Sequence, residues 1–228
     1  MMLNRLILAS SSPRRRDLLA QIGIDALVFP ADIDESAEPG ETPENYVDRM
    51  ASSKACAAAH KLLTTESGQT FLRTHAITAP CCILASDTCG VIDHGGGQHD
   101  LLVKPENFAH FQAMMRDMSD RVHQVLTSVY VLRLDALTLS EEMNMVGTTV
   151  STDVRFRRLS ESDIEHYWQT GEPQDKAGGY GIQGKGALFV AGIDGSYSNV
   201  VGLPLLETQV LLAQQGFPTW LDSREQET

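Results

Sequence analysis

The chain has 228 residues, of which 42% are hydrophobic and 21% charged, so it can bury a substantial core and is not disordered. Its formal net charge is −12. A surface this acidic argues against binding to nucleic acid or to an anionic membrane, because both carry negative charge. The composition favours a globular protein that holds a small anionic ligand at a local cluster of positive charge.

The first predicted elements are a short strand and a helix joined by a serine turn. Leu6 to Ala9 is long enough for a buried strand, and Ser10 to Ser12 lead into a helix predicted from Pro13 to Ile22. Ser12 is expected to cap this helix through its side-chain oxygen, and Pro13 suits the first helical position.

Three consecutive arginines occupy the first turn of this helix. A helix N-terminus offers free N–H groups and a partial positive charge to an anion, and Arg14, Arg15 and Arg16 add guanidinium groups that match phosphate oxygens. Their charge opposes the helix dipole unless something negative binds there. The pattern therefore predicts a phosphate site, with a solvated basic turn as the alternative.

The cysteines and the hydropathy pattern bear on localisation. No two of Cys56, Cys81, Cys82 and Cys89 form a C-x-x-C pair or a zinc-ligand spacing, so reduced thiols and a cytoplasmic location are expected. No apolar run approaches the ~18 residues that span a bilayer. The Arg- and Ser-rich start also fits a mitochondrial transit peptide, but a strand and a capped helix account for the same residues.

The chain continues with a strand at Ala26 to Phe29, an acidic turn at Asp32 to Glu35 and a helix from Pro43 to about Leu63. Thr64 to Ala79 shows no clear periodicity. We predict a mobile surface insertion over about residues 64–80.

Two carboxylates stand at places suited to chemistry. Asp87 follows the apolar strand Cys81 to Ala85, and Glu35 lies in its acidic turn. A carboxylate at a strand end is a common general base or metal ligand. Two carboxylates in polar turns suit a nucleotide-bound Mg²⁺, which takes its other ligands from water and phosphate. The alternative for both residues is an ordinary turn.

Two lysines are candidates for phosphate contacts. Lys54 lies on the predicted second helix, and Lys104 precedes a proline that starts a helix to about Met118. Each is otherwise a solvated surface lysine. Between them, His94 to Asp100 forms a glycine-rich hairpin tip whose histidines are expected to be exposed rather than metal-bound.

The second half is predicted to contain a strand pair, a helix capped by Ser160, two further strands, a final helix and a frayed tail from about residue 221. The strands are Val122 to Leu134, Val146 to Phe156, Ala187 to Val190 and Tyr197 to Val201, and the last helix is Leu205 to Gln215. The order of elements predicts an α/β fold with a mixed sheet, and the absence of a long linker predicts a single domain over residues 1–228.

The glycine-rich segment Asp175 to Gly186 resembles two phosphate-binding motifs but fits neither. A dinucleotide fingerprint should open a helix, whereas a strand-like run follows. A P-loop needs Ser or Thr where Gly186 stands. The segment is instead a loop whose backbone can approach a ligand closely, in which Gln183 offers a donor and an acceptor to a base edge and Tyr180 offers a ring.

Several short sequence motifs, taken together, resemble those of the Maf family. The resemblance is carried by Ser10 to Arg16, Ala85 to Thr88, Lys104-Pro105, Asp175 to Gly184 and Gly195 to Pro204, in the family's order. It implies a nucleoside triphosphate pyrophosphatase, in which water attacks the α-phosphorus and a divalent cation, Mg²⁺ or Mn²⁺, takes part. It also implies a twisted mixed sheet with helices, two lobes around a cleft as in inosine triphosphate pyrophosphatases, often a homodimer, and a link to septum formation and cell-division arrest.

The resemblance assigns roles to individual residues. Asp87 matches the catalytic acidic residue, as proton acceptor or metal ligand, and Glu35 matches the acidic residue beside it. Lys54 and Lys104 match lysines on the phosphates. The residues expected to bind substrate are Ser10, Ser12, Arg14, Arg15, Thr88 and Gln183. Arg15, Thr88 and Gln183 fit the branch of the family that acts on dTTP and UTP.

Three motifs depart from the family's usual pattern. Ser53 stands where an acidic residue is usual, Ala85-Ser86 stands where Gly-Ala is usual, and Val103 replaces Glu or Gly. The loss of an acidic residue at position 53 raises the question of how Lys54 or a metal is positioned. Two rival functions are a pyrophosphatase for modified purine triphosphates, of the 7-methyl-GTP or ITP type, and a nucleotide-sensing or septum-related protein without turnover.

Overall fold

The computed structural model describes residues 5–96, 98–140 and 143–221. The first part of the chain alternates strands and helices, in the order β1 (Leu6–Leu8), α1 (Pro13–Gln21), β2 (Ala26–Val28), α2 (Pro43–Thr64) and α3 (Glu66–Thr74). The remaining strands are β3 (Cys81–Gly95), β4 (Gln98–Leu102), β5 (Val122–Leu134), β6 (Asn144–Phe156) and β7 (Val190–Asp194). The remaining α-helices are α4 (Phe108–Met118), α5 (Glu161–Gln169), α6 (Tyr197–Val201) and α7 (Leu205–Gln214).

The seven strands form one sheet in the order β2-β1-β3-β5-β6-β7, with β4 paired to β3. β1 runs parallel to β2 and β3, so that Leu6 lies opposite Ala26 on one side and Cys82 on the other. β4 and β7 pair antiparallel with β3 and β6. The predicted α/β fold with a mixed sheet flanked by helices is confirmed, as is the pairing of the two long strands β5 and β6.

The chain divides into two compact units. Within the described residues, the first takes 5–87, 128–140, 143–149 and 202–221, and the second takes 88–96, 98–127 and 150–201. Each unit has a core of its own. In the first, the small residues Ala55 and Ala58 of α2 pack with Ile7 and Ile83 of the sheet, and in the second the core includes Phe111. The single domain and the cleft between two lobes stay predictions.

The prediction of an irregular insertion after Leu63 is wrong, because α2 continues to Thr64 and α3 follows directly. The side chain of Thr65 accepts a hydrogen bond from the N–H of Gly68 and caps α3. Leu72 is buried, which ties α3 to the core of the first unit. The segment is mostly polar and has a single buried stripe, so its helical periodicity is weak. The capping residue Thr65 is the sequence signal that could have predicted the helix.

Two predicted strands near the end of the chain are also wrong. Lys185–Phe189 forms a 3₁₀ helix, and the strand begins only at Val190. Tyr197–Val201 is helical because the Ser196 hydroxyl accepts from the N–H of Asn199, which caps the turn. Aromatic and β-branched composition indicated a strand, but the capping serine decides the local structure.

The four cysteines are free thiols. Cys81 and Cys82 are buried, as predicted for small apolar residues, and burial raises the pKa of the Cys81 thiol to about 11. Among the described residues, no helix is both long enough and apolar enough to cross a membrane. Of the predicted frayed tail, residues 222–228 lie outside the described residues.

Candidate active site

The serine turn before α1 is organised by Ser10. Its Oγ accepts from the backbone N–H of Ser12 at 3.2 Å and from Nη1 of Arg15 at 3.0 Å. Ser12 is the N-cap residue, but its side chain makes no capping hydrogen bond, so that part of the prediction is wrong. The hydrogen bond to Ser10 instead fixes the turn through the backbone of Ser12.

Arg15 is the arginine of the basic run that is built into the site. Besides its bond to Ser10, its Nε donates to the carbonyl of Gly202 at 2.9 Å. Burial lowers the pKa of the Arg15 guanidinium, while the Asp87 carboxylate acts in the opposite direction. Arg14 and Arg16 are exposed. The three arginines are thus not equivalent, because the fork of Arg15 is fixed by Ser10 and Gly202 whereas Arg14 and Arg16 are exposed.

Lys54 joins the two predicted carboxylates, although Asp87 lies within β3 and not at a strand end as predicted, because the strand continues to Gly95. Its Nζ lies 2.6 Å from Oδ1 of Asp87 and 2.6 Å from Oε1 of Glu35. The side chains of Lys54 and Asp87 are each 14% exposed, whereas that of Glu35 is 62% exposed. The two ion pairs answer the question raised by Ser53, since Lys54 is positioned by Glu35 and Asp87 without an acidic neighbour in the sequence.

The loop that carries Glu35 is held by α2, the same helix that carries Lys54. The hydroxyl of Tyr46 donates to the carbonyl of Glu35 at 3.0 Å, and Nη2 of Arg49 donates to the carbonyl of Ser36 at 3.0 Å. Arg49 also binds both carboxylate oxygens of Glu41 at 2.6 Å. These hydrogen bonds lower the pKa of Glu41 to about 2. The sequence holds no signal for these contacts of Tyr46 and Arg49, because both are ordinary surface residue types.

Glu35 and Asp87 are the residues that could hold a metal. No group of three or more His, Cys, Asp or Glu side chains suited to a metal occurs within the described residues. Two carboxylates supply hard oxygen donors, one oxygen of each pairs with Lys54, and a nucleotide-bound Mg²⁺ takes its remaining ligands from phosphate and water. The donor set therefore fits a cation that arrives with its substrate, and it does not make a cage by itself.

The other predicted residues belong to the second unit. Thr127 donates its hydroxyl proton to the carbonyl of Asn199 at 3.0 Å, so in the 3.0 Å contact between Thr88 and Thr127 the donor is Thr88. Lys104 is exposed in the segment between β4 and α4, and Gln183 is exposed in a turn.

Tyr180 packs against aromatic rings of the protein itself. It is buried, and its ring packs edge-on against Phe156 and His123 with centroids 4.8 and 5.5 Å apart. Its hydroxyl lies 2.8 Å from Nε2 of His123. The aromatic residue was correctly identified as a ring-packing group, but its partners belong to the protein core.

Ser86, one of the departures from the family pattern, is fully buried beside Asp87. Its hydroxyl donates to the carbonyl of Gly202 at 2.9 Å, the same oxygen that accepts from Arg15. An alanine at this position could not make this bond. The substitution therefore adds a hydrogen bond behind the site without removing a group from it.

Comparisons with known proteins show which family this chain is similar to. The family model described as "Maf-like protein" matches residues 5–215. A "dTTP/UTP pyrophosphatase" of Hahella chejuensis is 43% identical over 218 residues, covering 96% of each chain. Proteins of the same name from Photobacterium profundum and Saccharophagus degradans are 44% and 45% identical, covering 91% and 94% of this chain and 95% and 90% of theirs.

Among solved structures, a nucleoside-triphosphatase / dITP/XTP pyrophosphatase from Mycobacterium abscessus is similar over 66% of this chain and 72% of that one. The sequence identity is 14% and the TM-score is 0.26. A likeness this weak supports no conclusion about the site.

Proposed function

The chain belongs to the Maf family, and we propose on that basis that it hydrolyses dTTP and UTP to the nucleoside monophosphate and pyrophosphate. The observation that carries the proposal is the arrangement of Lys54 between Asp87 and Glu35. Phosphoryl chemistry asks a protein mainly to position its substrate and to offset phosphate charge. The ammonium group of Lys54 is held between two carboxylates, in the same unit as the turn proposed to bind phosphate. This arrangement supports that chemistry.

The serine turn is proposed to bind the triphosphate. Ser10 already accepts two hydrogen bonds at its Oγ, so its remaining capacity is to donate its own proton. Phosphate oxygens are acceptors only, and they complement such a hydroxyl. The N–H groups at the start of α1, together with Arg14 and Arg15, add further donors and positive charge.

Asp87 is proposed as the group that takes the proton from the attacking water. One of its carboxylate oxygens pairs with Lys54, and the other is directed to the water in this proposal. Water loses its proton to Asp87 as its oxygen bonds to the α-phosphorus, and the bond to the pyrophosphate oxygen breaks. Lys54 stabilises the charge that develops on the phosphate oxygens and holds the carboxylate in place.

A divalent cation fits the same carboxylates. Asp87 and Glu35 would hold it together with phosphate oxygens, and when bound it would supply Lewis-acid stabilisation of the phosphate charge. Lys104 is proposed to contact phosphate, and Thr88 and Gln183 to contact the pyrimidine. These three roles rest on the positions that match the family motifs.

The experiment is a product assay with dTTP, UTP, CTP, GTP, ITP and 7-methyl-GTP, each with Mg²⁺ or Mn²⁺, that scores pyrophosphate against orthophosphate. We expect pyrophosphate from dTTP and UTP above the rest. Pyrophosphate from a purine nucleotide instead would keep the reaction and reject the proposed substrate. Tight binding of a triphosphate with no release of product would reject the enzyme and favour a nucleotide sensor.

A further inference from the structure

The glycine-rich loop that carries Gln183 is wrapped around a carboxylate of the protein itself. Oε2 of Glu172 accepts from the backbone N–H of Lys185 at 2.9 Å, and its Oε1 accepts from that of Gly186 at 3.2 Å. The hydroxyl of Tyr167 donates to Oε1 of Glu172 at 2.7 Å and accepts from the N–H of Gly181 at 3.1 Å. The N–H groups that suggested a phosphate motif in the sequence thus point at an internal anion.

This arrangement explains why the loop needs its glycines. A Cβ on Gly184 would overlap the carboxylate of Glu172, and one on Gly186 would lie 2.6 Å from the hydroxyl of Tyr167. With a larger residue at either position, the Glu172 carboxylate or the Tyr167 hydroxyl would have to move out of its hydrogen bonds. The two glycines therefore allow the close approach of the backbone to these groups.

The carboxylate stays charged because the loop stabilises it. Burial alone would raise the pKa of Glu172, but the hydrogen bonds from Lys185, Tyr167 and Gly186 outweigh burial, and the pKa lies below its usual range. The charged form is the one that accepts bonds at both oxygens. Tyr167 is buried on α5. The clamp that Glu172 and Tyr167 form around the loop is therefore fixed to a helix of the second unit.

We propose that Glu172, with Tyr167, is the positioning group that holds the loop between Gly181 and Gly186 and so orients Gln183 toward the base of the substrate. The assignment to base recognition rests on the proposed function, whereas the anchoring of the loop does not. Glu172 itself touches no substrate in this proposal. It acts through the backbone on either side of Gln183.

The test is Glu172→Gln, which keeps the size of the side chain but places an N–H₂ group where a carboxylate oxygen accepts. The matched control is Glu165→Gln, an exposed residue of the neighbouring helix α5. Loss of a hydrogen bond to a charged group is worth about tenfold or more in an equilibrium. We therefore expect amide hydrogen exchange in the loop at residues 181–186 to be about tenfold faster in Glu172→Gln and unchanged in the control.

Kinetics separate positioning from a general loss of structure. We expect KM for UTP to rise about tenfold in Glu172→Gln with kcat within about twofold, and the preference for UTP over CTP to fall. A variant that was merely less folded would lose kcat at constant KM. In a Gln183→Ala background, the effect of Glu172→Gln on KM should disappear, because the group that it positions is already absent.

Two further outcomes keep the inference open to rejection. If Glu172→Gln does not fold, Tyr167→Phe removes one hydroxyl from the same clamp and is expected to show the same faster exchange. Unchanged exchange in the loop would overturn the anchoring, and unchanged KM and preference with faster exchange would overturn the link to Gln183. Failure of the wild-type protein to hydrolyse UTP would reject the proposed function alone, since the exchange measurement needs no substrate.

Discussion

The Nζ of Lys54 lies 2.6 Å from Oδ1 of Asp87, in a pair whose two side chains are each 14% exposed. The pair joins a residue in the middle of α2 to one on β3, 33 positions later in the sequence. Because little of either side chain meets solvent, screening by water and salt is weaker than for a surface pair. The geometry fixes one oxygen of Asp87 and makes the carboxylate a rigid part of the site.

Asp87→Asn should lower the turnover of dTTP by about 10²-fold or more and leave nucleotide binding nearly intact. An amide cannot take the proton of the attacking water, and loss of a general base typically has this magnitude. Turnover is measured by pyrophosphate release and binding by calorimetry. Asp25→Asn, at an exposed position of the same unit, is the control. Turnover equal to the wild type would remove Asp87 from the proposed mechanism.

Arg15→Lys should raise KM for the nucleotide by about tenfold with a smaller effect on kcat. A lysine ammonium cannot bind the Gly202 carbonyl and the Ser10 hydroxyl in the fork geometry that the guanidinium provides. Steady-state kinetics give both constants. Arg16→Lys, which changes an exposed arginine of the same helix turn, should leave them unchanged. Unchanged constants in Arg15→Lys would indicate that a positive charge is sufficient at this position and that the fork geometry is not required.

Arg49→Lys should reduce kcat several-fold although Arg49 is not proposed to touch substrate. The substitution breaks the double hydrogen bond to Glu41 and releases the backbone beside Glu35. The measurement is kcat at saturating nucleotide over a series of Mg²⁺ concentrations. If Glu35 holds the cation, the Mg²⁺ concentration for half-maximal rate should rise in this variant. An unaltered Mg²⁺ dependence would show that the contacts of Arg49 with Glu41 and Ser36 do not affect metal binding.

His123 predicts an acid-sensitive stability. It is 1% exposed, its Nδ1 has no hydrogen-bond partner in the described part of the chain, and burial lowers its pKa to about 4. The folded state thus binds a proton more weakly than the unfolded state, whose pKa is about 6.5. The contribution of neutral, buried His123 to the free energy of unfolding is fully present above pH ~6.5 and is lost as the pH falls through about 4.

The size of this effect follows from the shift, which corresponds to about 3 kcal/mol between neutral pH and pH ~4. Urea unfolding at a series of pH values measures it. His123→Phe keeps an aromatic ring and should remove most of this pH dependence, while His60→Gln, at an exposed position, should keep it. The same pH dependence in all three proteins would assign acid sensitivity to other groups.

Much of the fold could be predicted because local patterns agree with it. The alternation in Val122–Leu134 gave the bounds of β5, and Pro13 marked the start of α1. α3 was missed because one buried stripe among Thr, Ser and Gln gives little periodicity, and α6 because a capping serine outweighed strand-like composition. In both helices, one hydrogen bond from the backbone to a capping side chain determines the local structure, which residue propensities alone do not predict.

The residues of the candidate site were predicted from residue type and motif, but the contacts among them were not. Spacing along the chain cannot reveal that Lys54 lies between Glu35 and Asp87, since this depends on how α2 packs on the sheet. Nor can it reveal that the N–H groups of the glycine-rich loop bind Glu172. Both relationships are long-range contacts between ordinary polar residues, for which a single sequence holds no signal.

The carbonyl of Gly202 has a consequence for the order of assembly. It accepts from Arg15, which lies 187 positions earlier, and from Ser86, which lies 116 positions earlier. Both donors are made long before this oxygen during synthesis. The Nε bond of Arg15 therefore forms late, because closing a long loop costs entropy, whereas its Nη1 bond to Ser10 spans five positions. The guanidinium should thus reach its final position only after Gly202 has been added to the chain.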